Sequence, residues 1–124
     1  MKKALLVEDM PVVCEKMTRM LSDLKIQVDS VETPEEALDR IRKNDGYDLL
    51  ISDSVMPGSM DGDQLAQLSR KEQEELPVLL TVGFASMFDK LTRQNEDGVN
   101  LLKKPFDLEA LSMAVDAALE KAPA

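Results

Sequence analysis

At 124 residues the chain has the length of one domain able to bury its own core, and its single cysteine, Cys14, has no histidine or second cysteine to join it in a zinc site. Fifteen basic against 24 acidic residues leave a net charge of −9, which disfavours attraction to nucleic acid or an anionic membrane. Histidine is absent, so the chain carries neither the commonest general base nor a phosphohistidine of its own. No apolar run approaches the roughly 18 residues that cross a bilayer, and "MKKALLVED" is too short for a signal peptide, so a reducing cytoplasm is the expected home.

The first element is "KKALLV", a short and almost continuously apolar run that reads as a strand buried on both faces. It runs into two adjacent acids, Glu8 and Asp9, the second of which is a candidate cap for the helix that follows. Val13, Met17, Met20, Leu21 and Leu24 form that helix's apolar stripe. A second strand, "IQVDSV", precedes Thr33-Pro34-Glu35-Glu36, where a cap, a proline at the first helical position and a glutamate able to close the box announce a helix with Ala37, Leu38 and Ile41 inward. "DLLIS" is the third strand and ends at Asp53; the loop "SVMPGSMDG" leads to a thinner helix marked by Leu65 and Leu68, whose "RKEQEE" end is solvated. "PVLLTV" is the fourth strand. The weakest element covers residues 84–95, where Met87 and Leu91 are the only good pair. "VNLL" is the fifth strand, and Asp107 starts a last helix with Leu108, Leu111, Val115, Ala118 and Leu119 on one side; only "KAPA", residues 121–124, looks frayed.

Strands alternating with helices at this pitch predict one α/β domain over residues 1–124, with a doubly wound parallel sheet and helices on both faces. Ligands of such sheets bind outside the carboxyl ends of the strands. Those ends carry Glu8 and Asp9, then Asp53, then Lys104. Any one of them alone reads as a turn, cap or surface residue, whereas three carboxylates and a lysine on one rim are harder to assign to chance. The acids repel one another unless a cation neutralises them, and oxygen ligands without histidine or thiolate select a hard ion, Mg²⁺ first, with Mn²⁺ as a substitute. An aspartate beside such an ion and a lysine ammonium is arranged to attack phosphorus, which would leave an aspartyl phosphate on Asp53.

"LLVED", "YDLLISDSVMPGSMDG" and "LLKKPF", in that order and across the whole chain, resemble the receiver domain of two-component response regulators. The resemblance implies a flavodoxin-like (βα)5 fold with strand order 2-1-3-4-5, and a histidine kinase or histidine phosphotransfer protein as phosphodonor. It makes Asp53 the phosphoacceptor. Asp9, Asp53 and the backbone carbonyl of Val55 become direct Mg²⁺ ligands, with Glu8 acting through a metal-bound water. Lys104 becomes the phosphate-pairing lysine, followed by a cis bond to Pro105. Such a domain acts on itself and is not an enzyme with a separate substrate.

Two positions depart from the family. Val82 stands where Ser or Thr is usual, and Leu101 where an aromatic is usual. Val82 cannot donate the bond to a phosphoryl oxygen that the usual switch requires. Thr81 is one residue early and, because strand side chains alternate, is expected to point away unless a bulge shifts the register. The conventional readout is therefore expected to be weakened.

The chain ends soon after the last helix, so output is expected through contact with an unidentified downstream protein, without direct binding to DNA or membrane. Its initiating "MKK" favours a complete short protein over a receiver excised from a hybrid histidine kinase. The competing readings are a pseudo-receiver that keeps the fold without switching, and an aspartyl-phosphate hydrolase. The second is disfavoured by Val55 where such enzymes place an acid.

Overall fold

The computed structural model describes residues 1–43, 45–56, 60–83 and 99–120. Its elements are β1 (Lys2–Val7), α1 (Pro11–Asp23), β2 (Ile26–Val31), α2 (Pro34–Arg42), β3 (Leu49–Asp53), α3 (Gly62–Glu72), β4 (Val78–Val82), β5 (Asn100–Lys103) and α4 (Leu108–Glu120). The expected helix over residues 84–95 and the "KAPA" tail lie outside the described residues.

The strands form one five-stranded sheet in the order β2-β1-β3-β4-β5, with every neighbouring pair parallel. This is the doubly wound arrangement expected from the alternating pattern. The central strands are apolar throughout because both their faces are covered. Leu5, Leu50 and Leu80 pack towards α2 and α3 with Leu38, Ile41 and Leu65. Their chain neighbours Leu6, Ile51 and Leu79 pack the other way, towards α1 and α4, with Leu21, Leu111 and Val115. Successive side chains of a strand take opposite faces, so each strand feeds both cores.

The helix starts show which local signals act. Thr33 caps α2, its Oγ1 accepting the Glu36 N–H at 3.2 Å, and Asp107 holds the start of α4, its Oδ1 accepting the Ala110 N–H at 2.8 Å. The candidate cap Asp9 does not serve. The N-cap of α1 is Met10, without a side-chain cap bond, and Pro11 supplies the preset first turn. Leu108 also departs from expectation: as the first residue of α4 it lies ahead of the buried stripe and is exposed. Among the described residues no helix is long and apolar enough to cross a membrane.

Candidate functional site

The carboxyl ends of β1, β3 and β5 open on one side of the sheet, where Glu8, Asp53 and Lys104 line a single cavity of about 280 Å³. Lys104 Nζ lies 2.6 Å from Asp53 Oδ2, an ion pair between side chains 51 positions apart in sequence. Its stem crosses the end of β4 to make this contact, with Lys104 Cδ about 4.0 Å from where a Cβ on Gly83 would stand. The Lys104 main chain is fixed by its N–H donating to the Val82 carbonyl at 2.8 Å, and the Lys104–Pro105 bond is cis, as expected.

Asp53 is held from the other side as well. The Val55 N–H donates to its Oδ1 at 3.3 Å, and the Ser54 N–H donates to the Thr81 carbonyl at 2.8 Å. The start of α3 presses against the Asp53–Ser54 backbone: a Cβ at Gly62 would be driven into the Asp53 carbonyl oxygen and would stand 2.9 Å from Ser54 Cα. Gly62 and the Asp61 cap beside it were not singled out in the sequence. The signal was present, because Asp61-Gly62-Asp63-Gln64 has the spacing of a capping box.

Glu8 is half-buried at the end of β1, its main-chain N–H bonded to the Val31 carbonyl at 3.0 Å and its Oε1 accepting the Met10 N–H at 3.2 Å. Burial raises its pKa above the ordinary glutamate value, and the negative charges of Asp53 and Asp9 push the same way. The Met10 N–H and the Lys104 charge oppose them. Asp9 is exposed and lines an adjoining groove with Glu8 rather than the Asp53 cavity. Among the described residues no group of three acids is gathered closely enough to hold a metal ion. The donor chemistry nonetheless fits a hard divalent ion: carboxylate and carbonyl oxygens, few protein ligands, and repulsion at Glu8 that a cation would relieve.

The positions reserved for the switch fall on different faces. Asp53 is the register partner of Thr81, and Thr81 is the partner of Leu102, with no bulge between them. Parallel partners point their side chains to the same face, so Thr81 joins Asp53 in the cavity, where it is 5% exposed. The expectation that Thr81 points away is thus overturned. It is Val82, fully buried and paired with Lys103, that alternation places on the opposite face, and Leu101 packs there against the core under α2 and α3.

Residues 4–116 match the family model of the response regulator receiver domain. Among curated proteins, the transcriptional regulatory protein GlrR of Escherichia coli (strain K12) is 35% identical over 121 residues, which cover 97% of this chain and 27% of that protein. TctD of Salmonella typhimurium (strain LT2), another transcriptional regulatory protein, is 35% identical over 85 residues, covering 68% of this chain and 38% of that one. The chain therefore spans about a quarter to two-fifths of the length of these relatives. The solved receiver domain of the hybrid histidine kinase CckA superposes with a TM-score of 0.76 at 33% identity, covering 94% of this chain and 98% of that one. A receiver domain protein from Clostridium thermocellum shares the fold, with a TM-score of 0.87 at 20% identity and coverage of 98% and 96%.

Proposed function

The chain belongs to the response regulator receiver domain family of two-component systems, and from that premise we propose that it accepts a phosphoryl group on Asp53 and signals in the cytoplasm through protein contact. The observation that carries this reading is the 2.6 Å pair of Lys104 Nζ with Asp53 Oδ2, which sets a cation beside a carboxylate at the mouth of a cavity. One carboxylate oxygen of Asp53 forms the new bond to phosphorus. The P–N bond to the donor imidazole, on a histidine kinase or histidine phosphotransfer protein, breaks, and its electron pair returns to the ring nitrogen. Lys104 then faces a phosphoryl group instead of a bare carboxylate, and a lysine ammonium is suited to hold that charge. The domain acts on its own side chain and turns over no separate substrate.

Mg²⁺, or Mn²⁺ in its place, would be held by Asp9, Asp53 and the Val55 carbonyl, with Glu8 acting through a water. It supplies positive charge to the phosphoryl oxygens when bound. The residues of this chain orient the nucleophile through the Val55 N–H and Lys104, and Leu6, Ile51 and Phe106 line the apolar side of the cavity.

The output is atypical. Val82 and Leu101 lie on the face away from Asp53 and offer no hydroxyl or aromatic ring to respond there. The same observation favours a second reading, a pseudo-receiver whose partner recognises one fixed surface. Incubation with acetyl phosphate, with and without Mg²⁺, followed by intact mass separates them. The phosphorelay reading expects one added phosphoryl group that requires the metal and is lost in Asp53→Asn. An unchanged mass in the wild-type protein would favour the pseudo-receiver.

A further inference from the structure

We propose that the inner, apolar part of the cavity beneath Asp53 is a binding site for a small neutral aromatic molecule carrying one hydrogen-bonding group, held between α1 and the segment that follows β5. The proposal goes beyond the phosphoacceptor reading and does not depend on it.

The cavity of about 280 Å³ has a polar mouth at Glu8, Asp53 and Lys104 and an apolar interior, with Leu6 and Ile51 on the sheet side and Val13, Met17 and Met20 on the α1 side. Positions 13, 17 and 20 follow helical spacing, so one face of α1 supplies that wall. Phe106, just beyond β5, borders the same space. Of the residues that would hold the metal, Asp9 lines the adjoining groove instead, so an inner occupant and the ion need not compete. Open apolar volume weakens a fold, because the atoms that line it lack contacts on one side. A ligand that fills it restores them.

Size, charge and polarity together define the occupant. An engineered apolar cavity of about 150 Å³ takes benzene and drug-sized pockets begin at about 300 Å³, so this one suits roughly two fused rings. The thioethers of Met17 and Met20 and the ring of Phe106 favour an aromatic over an aliphatic molecule. Its charged lining sets Glu8 and Asp53 against Lys16 and Lys104, a balance that offers neither an anion nor a cation a net attraction to offset its desolvation. The occupant is therefore neutral. Thr81 supplies the polar contact: it is 5% exposed, it lines the cavity, and its hydroxyl has no hydrogen-bond partner among the described residues. A buried hydroxyl in that condition has lost its bonds to water, and a ligand N–H directed at it restores one. Such a site gives the domain a chemical input beside the one at Asp53.

The test titrates indole and benzofuran, which share a bicyclic shape but differ in the N–H, into the unphosphorylated full chain and reads affinity from amide chemical shifts. Indole is expected to bind wild type with a Kd of about 0.1–1 mM, an ordinary strength for so few atoms, and benzofuran about tenfold more weakly for want of one hydrogen bond. Thr81→Val should erase the difference by weakening indole alone, and Thr81→Ser should restore it. A merely structural role for Thr81 would move both ligands alike. Val13→Phe fills the space and should abolish binding of both, with urea unfolding to check that it folds; if it does not fold, the Thr81 series decides. The proposal is overturned if indole gives no saturable shifts up to about 5 mM, if folded Val13→Phe binds it undiminished, or if Thr81→Val leaves the preference for indole intact. Labelling of Asp53 by acetyl phosphate is scored separately, so the failure of either reading shows without the other.

Discussion

Gly62 begins α3 with its N–H donating to the Ser54 carbonyl at 3.0 Å, and its missing side chain is what lets the helix start seat against the backbone of Asp53. A methyl group there meets main chain, which cannot swing aside as a flexible side chain can. Gly62→Ala should therefore cost about 1–3 kcal/mol of stability, in the range of forced overpacking, and should also slow labelling of Asp53 because the displaced backbone carries the nucleophile. Urea unfolding and acetyl phosphate labelling of the same preparation check both halves. A drop in stability with labelling at the wild-type rate would show that the strain is absorbed in α3 and never reaches Asp53. The chemical residues Glu8, Asp9, Asp53 and Lys104 were legible in the sequence because charged side chains ending apolar strands stand out. Gly62 was not, since its contribution is the absence of atoms at a contact that only the fold creates.

Among the elements, α3 has the most complete start. Asp61 Oδ1 accepts the Gln64 N–H at 2.8 Å, and Gln64 Oε1 accepts the Asp61 N–H at 3.0 Å, satisfying donors that the first turn leaves open. Asp61→Ala removes the stronger half of this box and is expected to cost about 1 kcal/mol, or roughly 4 °C in Tm for a domain of this size. A calorimetric scan decides it, and a change below 1 °C would mean that packing against α2 alone fixes the helix start. The sequence advertised the matching signal at Thr33 because a strong apolar stripe follows it. The equivalent spacing at Asp61 was masked by a stripe reduced to Leu65 and Leu68, of which only Leu65 is fully buried. The start of α1 misled in the opposite sense: Asp9 has the right residue type for a cap, but Pro11 moves the N-cap to Met10.

Across the whole molecule, strand positions and sheet order follow from alternating apolar and amphipathic segments, yet that pattern could not say which residue of β4 faces Asp53. All five residues of β4 are buried, so the strand has no polar side from which to read its phase, and only the pairing of Asp53 with Thr81 supplies it. A second feature escaped for a related reason, because it joins residues from four separate segments. Tyr47 donates its hydroxyl to Asp29 Oδ2 at 2.8 Å and accepts from Arg40 at 3.2 Å, while Lys3 Nζ approaches the same Asp29 oxygen at 3.4 Å and lies 4.8 Å from the Tyr47 ring centre. The cluster ties the edge strand β2 to β1 and α2. The Tyr47 hydrogen bond, the largest influence, holds the Asp29 pKa below its ordinary value of 3.8 with the help of the Lys3 and Arg40 charges, against the opposing effect of burial. A lowered carboxyl pKa means that the unfolded chain takes up this proton first. The stabilisation is therefore present above about pH 3.8 and is lost as pH falls through the folded value. Tyr47→Phe should destabilise the protein at pH 7 by about 1 kcal/mol, below the usual range for a bond to a charged group because Asp29 is partly solvated. The gap between variant and wild type should narrow as pH falls from 3.8 through the lower folded value, below which Asp29 is neutral in both. Urea midpoints across that pH range measure it, and a gap that stays constant into acid would assign the effect to packing of the ring rather than to the Asp29 charge.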